Sequence, residues 1–478
     1  MDHPASSYPV LSLHIAGQWI DDTGNGFIPV FDPATGRQIS QLPKATERHL
    51  EMALAAAANA GSGWAAVPVR ERAALLRAAA LLLRGRAETI AAMVTMEQGK
   101  PLAEARSEVL RSADLIEWNA DAAVALMEDE GLRAEGGSSI ALVPVGTVAA
   151  FTPWNVPVLS PARKVSMALA AGCACILKPA EETPASAVEL VRAFVDAGVP
   201  AGVLGLVFGD PASISDHLIR SPVIRKVTFT GSVPVGKHLA ALAGSFMKPV
   251  TMELGGHNPV LILQDADVRH VAKAAAMGKF RNAGQICTSP TRFYVHTSQF
   301  DDFVEAFAAE TAALRIGNGL EADVQMGPVA SERRLTALQK LVSETLREGA
   351  KLIAGGARIG EEGYFYAPTL LTDIGPDSTF MREEPFGPVA GIFPYDTTAE
   401  GLALCNASSL GLAAYVFGTS DAETGKVASG MESGIVGINS FSVSRPDLPF
   451  GGVKDSGYGR EGGIEGLKAF LVTRVVAR

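Results

Sequence analysis

The chain is short of cysteine and of positive charge, and each shortage closes a class of function. Four cysteines, at 173, 175, 287 and 405, are too few to staple 478 residues and suit a reducing compartment. Cys173 and Cys175 stand where an apolar strand begins. No second Cys/His pair with zinc-type spacing accompanies them, so they read as buried small residues and no metal is expected. Lys and Arg number 41 against 51 Asp and Glu, and the net charge of −10 is the reverse of a nucleic-acid-binding footprint. Every long apolar run is interrupted by charge or glycine before it reaches membrane-spanning length. The opening Met1-Asp2-His3-Pro4 lacks a basic segment followed by an apolar one, so no secretory signal is read there. A soluble, acidic, cytoplasmic protein without nucleic-acid or membrane partners is expected.

Alanine is abundant, and with it helix-forming sequence. The length exceeds what one core supports, so two or three domains are expected. Thr46 to Ala66, Val69 to Glu97 and Ala103 to Met127 read as helices. A polar stretch ending in Gly136-Gly137-Ser138-Ser139 leads into an extended segment from Ile140 to Gly146, the pattern of an arm that leaves its domain. From Gly146 onward, short apolar strands alternate with helices. The strands are Val148 to Phe151, Cys175 to Leu177, Val203 to Phe208, Lys226 to Phe229 and Val250 to Met252. One helix opens at Thr183-Pro184, where Thr is a favourable cap and Pro a favourable first residue. The alternation argues for βαβ units and a parallel sheet of Rossmann type. A second α/β run extends from Val260 to about Ser444, with strands at Arg292 to Val295 and Ala413 to Phe417. Phe470 to Val476 reads as a last strand.

Four segments hold the residue types that do carbonyl chemistry. They are Phe151-Thr152-Pro153-Trp154-Asn155, Glu253-Leu254-Gly255-Gly256, Gly284-Gln285-Ile286-Cys287 and Glu383-Glu384-Pro385-Phe386-Gly387-Pro388. A thiol can attack a carbonyl, and a carboxylate can activate the water that cleaves the resulting thioester. Singly, each residue has a plainer reading: a cysteine as a buried small residue, an asparagine as a turn cap, a glutamate as an ion-pair partner. Together, and over essentially the whole chain, the four segments resemble the aldehyde dehydrogenase superfamily. The resemblance implies an α/β protein with a Rossmann-type cofactor domain, an α/β catalytic domain and a β-ribbon oligomerisation arm. The cofactor domain would comprise residues 1–122 and 145–255, and the catalytic domain residues 256–455. Residues 123–144 and 456–478 would form the arm and tail of a homodimer or homotetramer.

The same resemblance implies roles. Cys287 would be the nucleophile, and Asn155 with the Cys287 backbone N–H would hold the oxyanion. Glu253 would be the general base, suited to it by a pKa raised through desolvation. Glu461 matches a second glutamate used in proton relay, although it could equally pair with Arg460 or another cation. No Gly-x-Gly-x-x-Gly stands at a strand-to-helix turn; the turn around Gly231 and Ser232 resembles the family's atypical phosphate site instead. Lys178 and Glu181 match the residues that hold the adenosine ribose. A carboxylate there would repel a 2′-phosphate, so NAD is favoured over NADP. Glu384 and Phe386 match the residues at the nicotinamide ribose and ring, and Trp154 lines the same cleft.

Pocket positions point to the substrate. Arg163, Arg281 and Ser444 match those that hold the distal carboxylate in NAD-dependent succinate-semialdehyde dehydrogenases. Two guanidinium forks and a hydroxyl make a short, strong carboxylate site. An ω-carboxy semialdehyde such as succinate semialdehyde is therefore the expected substrate. One alternative is a neutral aliphatic or aromatic aldehyde, in a cavity lined by Phe441 and Phe450 with the arginines paired to local glutamates. A coenzyme-A-dependent acylating enzyme is disfavoured by Glu253, and a non-catalytic protein retaining the fold by the set Asn155, Glu253 and Cys287. Two departures stand out. Thr288 and Ser289 follow Cys287, so a neighbouring redox cysteine is absent. Arg445 and Asp447 add a charged pair to the loop that carries Ser444. His257 is assigned no role.

Overall fold

The computed structural model describes residues 8–477. Its first sheet has eight strands, in the order Gln18–Ile20, Leu13–Ile15, Leu204–Leu206, Cys175–Lys178, Thr147–Phe151, Ile224–Gly231, Val250–Leu254 and Gly457–Tyr458. The five central strands are parallel, and antiparallel pairs close both edges. Helices cover both faces, which is why Thr147–Phe151 and Cys175–Lys178 are buried at every residue and read as continuous apolar runs. The chain fills the sheet outward from Thr147–Phe151 on one side, then returns to add Ile224–Gly231 on the other. That reversal opens a crevice beyond the carboxyl ends of these strands, where α/β sheets bind ligands. The Trp154-Asn155, Gly231-Ser232 and Glu253–Gly256 segments all emerge there.

The second sheet has seven strands, in the order Lys351–Ala354, Thr369–Thr372, Val389–Tyr395, Pro290–His296, Asn258–Ile262, Ala413–Phe417 and Ile435–Ile438. All are parallel except the edge strand Lys351–Ala354. Cys287 lies just before Pro290–His296, and Glu384 and Phe386 just before Val389–Tyr395. The amino ends of this sheet therefore face the carboxyl ends of the first, and Gly255-Gly256 is the direct link between them.

Several expectations need correction. The helix expected over Val69 to Glu97 is two helices, Val69–Gly85 and Ala87–Gln98, parted at Arg86 (φ −101°, ψ 8°). Gly85 makes that break inexpensive. The two segments also bury different amounts: the first keeps an exposed face, whereas nearly all of the second is enclosed. Thr183 does sit at the start of Pro184–Asp196, but its hydroxyl caps nothing. The Glu97 carboxylate takes the Ala185 and Ser186 N–H groups instead, both at 2.9 Å. A charged cap from another helix outcompetes a hydroxyl. The helix Leu102–Asp129 precedes the ribbon, and Gly457–Tyr458 joins the edge of the first sheet. The ribbon itself consists of Leu132–Glu135, Ser138–Pro144 and Leu471–Val476, and it exposes Leu132, Val472, Val475 and Val476.

Candidate active site

Two cavities meet at Cys287. One, of about 320 Å³, reaches Arg111, Arg163, Arg281, Ser444 and Phe450; the other, of about 640 Å³, reaches Trp154, Ser232, Glu384 and Phe386. Asn155, Thr230, Glu253 and Cys287 belong to the walls of both. A thiol at this junction can face a substrate from one side and a cofactor from the other.

The loop before Cys287 is held in a costly shape. Asn282, Ala283 and Gly284 have φ of 50°, 52° and 71°, a left-handed run that L-residues adopt only under constraint. Gln98 Nε2 donates to Asn282 Oδ1 at 2.8 Å, and Asn282 Nδ2 donates to the Asn155 carbonyl at 2.9 Å. Gly284 is needed for space as well as angle, because a Cβ there would lie 2.2 Å from the Gly387 carbonyl oxygen. Beyond the cysteine, Asn258 Nδ2 donates to the carbonyls of Cys287 and Ser289, each at 2.8 Å.

Asn155 and Glu253 are buried, and Cys287 is half-buried where the two cavities meet. Burial, and after it the neighbouring Glu253, pushes the Cys287 thiol up to about 12, while Arg163 and the Thr288 backbone act in the other direction. Glu253 is raised well above the ordinary carboxylate value, first by burial and then by Glu461. Both of its oxygens are buried without a hydrogen-bond partner. Asn155 gives one N–H to the Gln285 carbonyl at 3.0 Å, which leaves its second amide hydrogen for an oxyanion. The Cys287 backbone N–H has no acceptor among the described residues. Glu461 does not pair with Arg460: it forms a buried ion pair with Lys164, and Thr228 Oγ1 donates to it at 3.1 Å.

The larger cavity has the makings of a dinucleotide cleft. Ser232 caps the exposed start of Val233–Ser245 with its hydroxyl unengaged, and Thr230 Oγ1 is buried without a partner. Glu384 accepts the Gly256 N–H at 3.1 Å, a closeness that requires glycine at 255, where a Cβ would lie 2.1 Å from Glu384 Oε2. Phe386 meets Trp154 edge-on at 5.5 Å. Lys178 and Glu181 form an ion pair of 2.7 Å.

The smaller cavity ends in cations. Arg163 donates to Ser444 Oγ at 3.1 Å, lies 4.6 Å over the Phe450 ring, and keeps a buried Nε without a partner. Arg111 donates to the Ser444 carbonyl at 3.2 Å. Among the described residues neither these two nor Arg281 enters an ion pair, and Glu104 in the same wall has none either. Lys100 pairs with Glu108 at 2.5 Å and Arg445 with Asp447 at 2.6 Å. Phe441 packs on Tyr415 and Phe417 and is not in the wall, so of the two phenylalanines only Phe450 lines the cavity.

The aldehyde dehydrogenase family profile matches residues 19–476. The chain belongs to the aldehyde dehydrogenase family. It is 45% identical to a 4-(hydroxymethyl)benzenesulfonate dehydrogenase of Comamonas testosteroni, over 98% of each chain. It is 37% identical to an NADP-dependent succinate-semialdehyde dehydrogenase of Escherichia coli, over 96% of this chain and 95% of that one. The crystal structure of Staphylococcus aureus betaine aldehyde dehydrogenase in complex with NAD+ superimposes with a TM-score of 0.95 at 30% identity, over 99% of this chain and 96% of that one. Relatives thus divide between the two nicotinamide cofactors and among several substrates.

In this aldehyde dehydrogenase the structure brings Cys287, Glu253 and Asn155 to one junction and Arg163, Arg281 and Ser444 to one cavity end. Glu461 lies behind Glu253, and Lys178 and Glu181 lie apart from both cavities. Sequence reasoning passed over Arg111 and Glu104. Their signal was the polar stripe Glu104, Ser107, Glu108 and Arg111 at helical spacing, which normally marks a solvated face; here it forms a cavity wall. His257 is buried, bridging Thr291 Oγ1 and the Phe380 carbonyl at 2.7 and 2.8 Å, a role in packing.

Proposed function

We propose that this enzyme oxidises, with NAD, an aldehyde whose far end carries a fixed negative charge, an ω-carboxy semialdehyde such as succinate semialdehyde being the reference case. The observation that carries the reading is the set of arginines without carboxylate partners in the cavity that reaches Cys287. A buried N–H without a partner, as at Arg163 Nε, is costly unless a ligand completes it. The Comamonas testosteroni relative is named for a benzenesulfonate, which supports an anionic substrate and widens the head group beyond carboxylate.

Cys287 releases its proton to solvent and its sulfur bonds the aldehyde carbon, driving the carbonyl electrons onto oxygen. Asn155 and the Cys287 N–H hold that oxyanion in a site that needs no reorganisation. A nicotinamide cofactor, when bound in the larger cavity, would supply the hydride acceptor. Trp154, Ser232, Gly231, Glu384 and Phe386 are the residues we assign to holding that cofactor, with Lys178 and Glu181 at the adenosine ribose. Glu181 supports NAD, because its carboxylate accepts from a 2′-hydroxyl and repels a 2′-phosphate. Glu253 then takes a proton from water, the new oxygen bonds the acyl carbon, and the sulfur leaves. Glu461, tied to Lys164, keeps a second negative charge behind Glu253 and so favours its proton-accepting turn. The exposed ribbon supports pairing of two copies, as a homodimer or half of a homotetramer.

Steady-state NADH formation tests the substrate. Succinate semialdehyde is expected to exceed butanal in kcat/KM by about ten- to a hundredfold, the worth of one or two charged hydrogen bonds. Arg163→Ala is expected to erase that preference. Equal use of both aldehydes, with the variant slowing them alike, would reduce the arginines to scaffolding.

A further inference from the structure

Three arginines, Arg111 and Arg163 half-buried and Arg281 exposed, line the smaller cavity from three different elements. Arg111 comes from Leu102–Asp129, Arg163 from Leu159–Ala171, and Arg281 from the end of Val268–Phe280. Ser444 is gripped between two of them, its carbonyl by Arg111 and its hydroxyl by Arg163. Burial lowers the Arg111 pKa, and the Arg281 and Arg163 charges lower it further, so the three cations repel one another across the same space. The Glu108 and Asp114 charges ease that repulsion at Arg111, but among the described residues no carboxylate forms an ion pair with any of the three. Glu108 is committed to Lys100, and Asp447 to Arg445 outside the cavity. Glu104 alone faces Arg281 from the helix that carries Arg111, with its carboxyl raised to about 7 chiefly by burial.

A carboxylate is planar and presents two oxygens, which two arginine forks and one hydroxyl can saturate. A third fork arriving from another direction has nothing left to meet. A tetrahedral head group with three diverging oxygens has one for each guanidinium. We propose that Arg111 is a third anion-recognising residue and that the cavity selects an aldehyde bearing a sulfonate over one of equal length bearing a carboxylate. This rests on the anionic-aldehyde reading above. The competing role for Arg111 is a brace on the Ser444 loop through its carbonyl bond alone.

The test compares 3-sulfopropanal with succinate semialdehyde, which place their head groups the same number of bonds from the aldehyde, and butanal as the neutral reference. Wild-type enzyme is expected to favour the sulfonate by about tenfold or more in kcat/KM. Arg111→Gln, which retains a donor for the Ser444 carbonyl, is expected to cut the sulfonate-to-carboxylate ratio at least about tenfold, through KM rather than kcat. Arg111→Lys, which keeps the charge and loses the fork, is expected to restore only part of that ratio, with the thermal unfolding midpoint confirming a folded protein in both cases. A wild-type preference for succinate semialdehyde, or a ratio unmoved by either substitution, would overturn the inference while leaving the anionic reading intact. If neither anion outperforms butanal, the parent reading falls and takes this one with it.

Discussion

Glu104 shows how one side chain can set both binding and stability. Burial raises its carboxyl to about 7 from an ordinary 4.5, against the pull of Lys100 and Arg281. Below that pH the group is neutral and the arginines face the substrate undiluted; above it, a carboxylate beside Arg281 competes with an anionic aldehyde. KM for anionic aldehydes is therefore expected to rise about three- to fivefold between pH 6 and 8, the size of a partly screened charge pair. Glu104→Gln is expected to flatten that profile in steady-state kinetics, and a profile unchanged by the substitution would contradict the assignment. The sign for stability follows from the same shift. The folded protein keeps a proton that the unfolded chain releases near 4.5, so the contribution is complete below that pH and is lost as pH climbs through 7. At this scale Cys287, Glu253 and Asn155 were legible because their neighbours form a recognisable frame. Arg111 and Glu104 were not, because a charged stripe on a helix looks the same whether it faces water or a cavity.

Elements were legible where burial is two-sided and failed where a distant group decides. The parallel strands stand out as short apolar runs because helices cover both faces of their sheet. The capping of Pro184–Asp196 by Glu97 depends on a tertiary neighbour that local spacing does not encode. The extended segment from Ile140 was legible as strand, and the ribbon's first strand begins at Leu132, after a helix that runs to Asp129. Its exposed valines, with Val475 61% accessible, make it the surface where copies are expected to meet. Light scattering on the wild-type protein should return an even-numbered oligomer, and Val472→Lys with Val475→Lys should shift it to smaller species. A wild-type monomer would rule the proposed pairing out.

The whole molecule works by setting two sheets end to end. The carboxyl ends of one and the amino ends of the other close on Gly255-Gly256, and the two cavities between them share the wall that holds Cys287. The α/β class and the two strand runs could be read from the chain; that the arginine end and the cofactor cleft open on the same sulfur could not, since it depends on how the sheets are placed. The most direct measurement uses that geometry. Glu253→Gln should stall the enzyme after hydride transfer, so intact-mass analysis with NAD and succinate semialdehyde should find one acyl group per chain, located on Cys287 by peptide mapping. Adding Arg163→Ala should abolish the adduct at the same substrate concentration. An acyl group elsewhere, or labelling of Cys287 that is indifferent to Arg163, would contradict the account.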